Sequence, residues 1–226
     1  MKAALLILTM LMLSSFKTPV ENDYSKIFGS DYTWAVNWLK QYNALIDEYA
    51  SRFNIPGKEL KAIVFPELIR YNSIFNALEI ESLKYLYVKE GKYYADFSVG
   101  YFQMKPSFAE MVEVDAGNLP DTIRFTETGW NNNGKLADNE TSRMERVKRL
   151  SNTRQQIIYL CMFYKVCQSR FRNRIFASPV ERLKFYATCY NAGYRRSYQS
   201  LMAFQLKNTF YKYNYSTVSA YYYLQQ

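Results

Sequence analysis

The sequence predicts a mainly α-helical fold organised as one domain. Apolar residues recur at steps of three and four over most of the chain, which is the period of an amphipathic helix. The 226 residues are 49% hydrophobic, enough for a sizeable core. The sequence shows no internal repeat, no long linker and no composition shift that would mark a second domain.

The first predicted helix begins at Asp31, which serves as its N-terminal cap, and ends at the Asn-Ile-Pro-Gly stretch of residues 54–57. Its apolar face carries Trp34, Trp38, Tyr42, Leu45 and Tyr49. A second helix is predicted over residues 58–75. Pro66 lies inside it and lacks a backbone N–H, so a kink or break is expected just ahead of Glu67. A third helical segment ends at Gly91.

Residues 98–109 read SVGYFQMKPSFA, and Gly100 and Pro106 predict a loop there. Residues 111–150 contain several Gly, Asn and Pro residues and are predicted to form a long excursion, with a short helix in the sequence ERVKRL at its end. We interpret this excursion as a flap over a groove or as a surface insertion.

The chain from residue 152 to residue 171 is apolar on nearly all sides, which predicts a buried helix. The next helix is expected to begin at Ser178, which forms a capping-box pattern with Glu181, and to end at Gly193. The tyrosine-rich tail after it is expected to be a last helix or a short strand.

The N-terminal residues have the pattern of a secretory signal. Lys2 precedes an apolar and small run from Ala3 to Ser15, which is too short to span a bilayer. We therefore expect residues 1–19 to be a cleaved signal peptide, with an uncleaved anchor as the alternative. Residues 20–226 are then an exported domain of the periplasm or cell envelope, without a membrane span.

The amino-acid composition limits the kinds of catalysis and metal site that the chain can support. The chain has no histidine, which excludes Ser-His-Asp and Cys-His catalysis and histidine-ligated metals. Proton transfer must come from carboxylates, lysine, tyrosine or cysteine. The chain has three cysteines, Cys161, Cys167 and Cys189, and none of them forms a C-x-x-C pair. We expect all three to be small buried residues of the core. A bridge from Cys189 to Cys161 or Cys167 is the alternative.

The formal charge is +9, from 29 basic and 20 acidic residues. An exported basic protein suits an anionic envelope polymer or a membrane surface. Nucleic acid is disfavoured as a partner because of the export signal. A solvated basic surface without a partner is the alternative.

Three stretches carry polar residues in an order that resembles a known family. They are AIVFPELIRYN at residues 62–72, GYFQMKPSFA at residues 100–109 and ATCYNAG at residues 187–193. Together they resemble the lytic transglycosylases, which are lysozyme-like peptidoglycan-cleaving enzymes that share a catalytic domain with goose-type lysozymes. The resemblance covers roughly residues 55–200, and it implies a lysozyme-like domain with a glycan-binding groove.

The resemblance also implies a site on the peptidoglycan strand. Glu67 is the implied catalytic residue, and the implied substrate-binding residues are Gly100, Tyr101, Phe102, Gln103, Tyr190 and Asn191. By this analogy Glu67 protonates the oxygen between N-acetylmuramic acid and N-acetylglucosamine. It then takes a proton from the muramoyl 6-hydroxyl, which gives a 1,6-anhydro product without metal or cofactor. Apolar neighbours of Glu67 would raise its pKa, as a general acid at neutral pH requires.

Several positions depart from the family pattern. Leu68 replaces the usual Ser, Tyr71 replaces a common Asn, and the gap from Glu67 to Gly100 is longer than usual. A non-catalytic peptidoglycan-binding or envelope-assembly protein on the same scaffold therefore remains an alternative. A goose-type muramidase, with Asp96 as a second carboxylate, is another, and an exported helical adaptor without glycan contact is a third. The sequence makes no prediction about protein partners.

Overall fold

Helices make up most of the structure, so the predicted mainly α fold class is confirmed. The computed structural model describes residues 22–73, 77–119 and 135–226. Within these ranges the chain forms ten helices and no strand. They are α1 (Tyr24–Gln41), α2 (Asn43–Arg52), α3 (Gly57–Ser73), α4 (Ala77–Glu90), α5 (Pro106–Ala116), α6 (Glu140–Leu150), α7 (Thr153–Arg170), α8 (Pro179–Ala192), α9 (Tyr198–Gln205) and α10 (Tyr215–Gln225).

Side-chain caps fix where many helices begin. The Ser178 side chain accepts a hydrogen bond from the Glu181 N–H, so the predicted start of α8 is confirmed. The start predicted at Asp31 is wrong. Asp23 caps α1 eight residues earlier, because its carboxylate accepts from the Lys26 N–H at 3.4 Å. Gly29 interrupts α1 with a non-helical φ of 49°.

Helix α3 begins one residue before the predicted start of the second helix, and α4 ends just before Gly91, as predicted for the third. The predicted end of the second helix at residue 75 lies outside the described residues. Helix α3 continues through Pro66 and does not break there. The predicted single helix ending near residue 54 is divided at Tyr42 into α1 and α2. The tail forms two helices, α9 and α10, and no strand among the described residues.

The excursion predicted over residues 111–150 is too long at both ends. Its first residues, from Met111 to Ala116, are the second half of α5. Its final helix begins at Glu140. Residues 120–134 lie outside the described residues, as does the predicted signal peptide at residues 1–19. No described helix combines the length and apolar character needed to cross a bilayer.

Helix α3 lies at the centre of the packing. It contacts α1, α2, α8 and α10, and α8 in turn contacts α9 and α10. Helix α7 is buried over most of its surface, as predicted, and packs against α2, α5 and α6. Helix α3 therefore lies between the N-terminal helices α1 and α2 and the C-terminal helices α8 and α10.

A buried ionic cluster attaches α6 to the core. Arg146 of α6 is fully buried and donates to both carboxylate oxygens of Glu113 on α5, at 2.7–3.1 Å. It also donates to the Tyr87 hydroxyl of α4 at 2.7 Å. Arg149 and Tyr159 donate to the same Glu113. Because these charges are paired and hydrogen-bonded, the cluster fixes the position of α6 without leaving a buried charge uncompensated.

The three cysteines are free and buried, as predicted. None forms the bridge considered as the alternative. Burial raises the pKa values of the Cys161 and Cys167 thiols.

Candidate active site

Glu67 lies in α3 and is only 4% exposed. Its neighbours Phe65 and Leu68 are fully buried. Leu68 belongs to the hydrophobic core, so the residue that departs from the family pattern does not line the pocket at Glu67. A helix turn this apolar places the carboxyl group in an environment that disfavours its ionised form.

A small pocket joins Glu67 to the two other stretches of the resemblance. Its volume is about 120 Å³. Its lining combines residues from α3, the 98–105 loop, α5 and α8: Glu67, Arg70, Ser98, Gln103, Met104, Lys105, Phe108, Tyr190 and Asn191. Three of the predicted substrate-binding residues, Gln103, Tyr190 and Asn191, therefore lie around the same pocket as Glu67.

The electrostatics of Glu67 are balanced between opposing effects. Burial raises its pKa, while Arg70 and a hydrogen bond with Tyr215 lower it, and the result is a pKa of about 7. The Arg70 Nη1 lies 3.1 Å from Glu67 Oε2. A carboxyl group with this pKa is present in both its protonated and ionised forms near neutral pH, as an acid–base catalyst requires.

Two residues at this carboxyl group were not predicted. Arg70 follows Glu67 by three positions on α3, a spacing that places side chains next to each other on a helix, so the sequence did contain a signal. Tyr215 comes from α10, and its hydroxyl donates to the Ile63 carbonyl at 2.9 Å. Nothing in the tyrosine-rich tail distinguishes it from its neighbours.

Tyr190 connects α8 to the loop. Its hydroxyl donates to the Phe102 carbonyl at 2.7 Å, and its ring packs edge-on against Phe108 and Phe163. Burial, together with the nearby Glu67, raises the pKa of Tyr190 well above its usual value. Asn191 donates to the Thr209 hydroxyl at 2.6 Å. Both residues are thus held by protein partners at the edge of the pocket.

The loop itself is a tight turn. Val99 and Met104 exchange backbone hydrogen bonds of 2.9 and 3.1 Å. Gln103 has a positive φ of 50°, and its side-chain amide donates to the Gly100 carbonyl at 2.9 Å. Gln103 therefore braces the loop while also lining the pocket.

Gly100 serves packing inside the protein. Its φ is +68°, and a Cβ at this position would lie 1.6 Å from Gln156 Nε2 and 2.9 Å from the Leu150 carbonyl oxygen. The group that approaches Gly100 closely is therefore Gln156, which is buried and bonds the backbone of Val99, Leu150 and Phe102. Gly100, an implied substrate-binding residue, is not among the residues that line the pocket at Glu67. Phe102 has a fully buried ring, so this ring is not placed to stack on a sugar.

Changing Gly100 to Ala is expected to lower the free energy of unfolding by about 2–4 kcal/mol, because the methyl group displaces Gln156 and the positive φ is strained. Gly29→Ala is the matched control, since its φ is also positive but its Cβ would meet nothing within 4 Å. The control should lose about 1–2 kcal/mol. Urea denaturation measures both, and equal losses would show that Gln156 does not restrict this position.

Tyr101, which does not line the pocket, belongs to an aromatic cluster with rings near α1 and on α3. Its ring centroid lies 4.7 Å from Tyr71 and 4.9 Å from Trp38. Trp34 stacks on Tyr71 and Tyr42 stacks on Trp38, at 5.8 and 4.3 Å. Four of these five side chains, all except Trp38, remain partly exposed. Partly exposed Trp and Tyr rings combine an apolar face with a polar edge, which suits the face of a sugar ring.

Asp96 is engaged elsewhere. Its carboxylate accepts from the Ser107 N–H at 3.0 Å and from the Ser107 hydroxyl at 2.9 Å, at the start of α5. It is not among the residues that line the pocket. These contacts favour a helix-capping role for Asp96, and its role as a second carboxylate stays a prediction.

The comparisons with known proteins neither support nor contradict the resemblance to lytic transglycosylases. The chain has no significant match among protein-family models, curated proteins or solved structures. Among the residues that the structure describes, there is no group of three or more cysteine and acidic side chains suited to hold a metal ion. Glu67 and the side chains around its pocket are therefore the basis for a function of this chain.

Proposed function

We propose that the chain is an exported lytic transglycosylase with a lysozyme-like catalytic domain, acting on peptidoglycan of the cell envelope. The observation that carries this proposal is the buried Glu67, with a pKa of about 7, in a pocket shared with Gln103 and Tyr190. Three segments that are far apart in sequence supply these residues. Their order along the chain is the one on which the family resemblance was based, while the gap from Glu67 to Gly100 is longer than is usual for the family.

The proposed reaction uses Glu67 twice. In its protonated form it donates a proton to the oxygen that links N-acetylmuramic acid to N-acetylglucosamine. The carboxylate that remains is stabilised by Arg70, whose Nη1 lies 3.1 Å from Glu67 Oε2. It then accepts a proton from the muramoyl 6-hydroxyl as the 1,6-anhydro ring closes, so the enzyme returns to its starting state.

The dimensions of the pocket define what it holds. At about 120 Å³ it is smaller than the roughly 300–1,000 Å³ of sites that enclose a whole small molecule. We infer that it receives the reacting bond and that the rest of the strand lies on the surface outside. The partly exposed rings of Trp34, Tyr42, Tyr71 and Tyr101 supply a surface suited to sugar rings. Tyr71 and Tyr101 lie next in sequence, or nearly so, to the pocket residues Arg70 and Gln103.

A digest of purified peptidoglycan tests the proposal. The expected products end in 1,6-anhydromuramic acid, and the rate falls as the pH rises through about 7, because protonated Glu67 is lost. Mass spectrometry of the products and initial rates between pH 5 and 9 provide the readouts. Reducing ends without anhydro sugar would instead support the muramidase alternative.

A peptidoglycan-binding protein without turnover is the second candidate. It is favoured by the side chains already engaged with protein, since Gln103 bonds Gly100, Asn191 bonds Thr209 and Glu67 pairs with Arg70. This candidate predicts that the chain sediments with insoluble peptidoglycan but releases no soluble fragments. The same digest therefore separates the two candidates.

A further inference from the structure

The loop between α7 and α8, residues 171–177, holds one aliphatic side chain fully in solvent. Ile175 is 99% exposed. The loop on both sides of it is packed against α8: Phe171 lies 4.8 Å from the Phe185 ring and Phe176 lies 5.4 Å from the same ring. The Arg174 N–H also bonds the Phe171 carbonyl at 2.9 Å. Ile175 is therefore held outward by a fixed turn.

Arginines surround this side chain. Arg170, Arg172 and Arg174 are all exposed. The Arg174 guanidinium lies 4.2 Å from the centre of the Tyr198 ring, which orients it. A cavity of about 460 Å³ beside the loop is lined by Arg172, Arg174 and Arg182. Positive charge and one apolar group are thus presented on the same surface.

The carboxylates of the surrounding helices are already paired. Arg195 donates to Asp115 at 2.7 and 2.8 Å. Arg182 pairs with Glu59, and Lys184 with Glu181. Within the described ranges no carboxylate pairs with Arg172 or Arg174. The positive charge of Arg172 and Arg174 is therefore free to interact with another molecule.

We propose that residues 171–177 dock the protein on an anionic phospholipid bilayer, with Arg172 and Arg174 at the phosphate groups and Ile175 inserted at the acyl boundary. The isoleucine favours a bilayer over a soluble polyanion. An aliphatic side chain is removed from water only by a partner with an apolar interior, and basic residues beside it supply the electrostatic attraction.

This surface is separate from the pocket at Glu67. The loop precedes the first residue of α8, Pro179, whereas Tyr190 lies near the end of the same helix. The eleven helical steps from Pro179 to Tyr190 correspond to about 17 Å along the helix axis. Docking at the loop therefore leaves the pocket accessible, and the proposal does not depend on any activity of the pocket.

The test is sedimentation of the full chain with vesicles of 30% phosphatidylglycerol in phosphatidylcholine, compared with phosphatidylcholine alone. All variants carry the same N-terminal segment, so the differences between variants are the measurement. The double variant Arg172→Glu/Arg174→Glu should bind the anionic vesicles at least about thirtyfold more weakly than wild type. Its matched control is Lys40→Glu/Lys148→Glu, which changes the net charge by the same amount at two exposed lysines outside the loop. This control should retain most of the binding.

The apolar contribution needs its own pair of variants. Ile175→Ser should weaken binding to anionic vesicles by about tenfold. Tyr93→Ser, at a 92% exposed tyrosine in another loop, should not. Both side chains lie in solvent, and circular dichroism should show unchanged helix content. The proposal is overturned if the two double variants bind alike, if Ile175→Ser binds like Tyr93→Ser, or if wild type shows no preference for the anionic vesicles.

Discussion

Under the proposed function, replacing Glu67 with Gln is expected to lower peptidoglycan cleavage by about a thousandfold or more. The amide keeps the size of the side chain and its place in α3, but it neither donates a proton to the glycosidic oxygen nor accepts one from the 6-hydroxyl. Release of soluble fragments from peptidoglycan measures the effect. Glu181→Gln is the control, because Glu181 is exposed near the start of α8 and pairs only with Lys184 among the described residues.

The same substitution has a pH signature that does not depend on turnover. The pKa of Glu67 is about 7 in the folded protein, above its ordinary value of 4.5. Between these values the folded state holds a proton that the unfolded state has released, so stability falls as pH rises from 4.5 to 7. The loss reaches roughly 3 kcal/mol above pH 7.

Glu67→Gln removes this loss. The free energy of unfolding of the variant minus that of wild type should therefore be roughly 3 kcal/mol larger at pH 8 than at pH 4. Urea denaturation at the two pH values measures it. A variant that is inactive but shows no such gain would mean that Glu67 is not buried as described, and full activity in the variant would eliminate Glu67 as the acid.

Replacing Arg146 with Met should destabilise the protein by about 3–5 kcal/mol. The loss arises because Glu113 stays buried with fewer partners and the Tyr87 hydroxyl loses its donor. The control is Lys89→Met, which removes an exposed ion pair to Glu140 that also joins α4 to α6. That change should cost less than about 1 kcal/mol.

Chemical denaturation with both variants at one pH gives the comparison. If Arg146→Met is no more destabilising than Lys89→Met, the ionic cluster contributes little to the attachment of α6. Adding Glu113→Gln to Arg146→Met should restore part of the stability, since it removes the carboxylate that the first change leaves underpaired.

The helices could be predicted where local signals agree. Periodicity identified α3, α7 and α8, and Ser178 and Gly193 marked both ends of α8. The prediction at Asp31 missed the first part of α1, from Tyr24 to Phe28, because Asp23 caps it in a stretch without clear periodicity and Gly29 interrupts the helix just before Asp31. Residues 111–116 were predicted to be irregular because Gly and Pro residues follow them, whereas they continue the helix that begins at Pro106.

The candidate site could be predicted only in outline. Motif order identified Glu67, Gln103, Tyr190 and Asn191, which line one pocket. Tyr215 could not be identified, because it contacts the site through tertiary packing of α10 against α3. The packing role of Gly100 could not be predicted for the same reason, because the group that approaches it is the side chain of Gln156, more than fifty positions away in sequence.

The three buried thiols allow the local unfolding of α7 and α8 to be measured by thiol labelling. Cys161, Cys167 and Cys189 lie on α7 and α8 and are fully shielded from water. Alkylating reagents attack only an accessible thiolate, so labelling should proceed at the rate at which these two helices separate. Since no disulfide crosslinks the three cysteines, the folded domain should also form equally well in reducing buffer, without an oxidant or an isomerase.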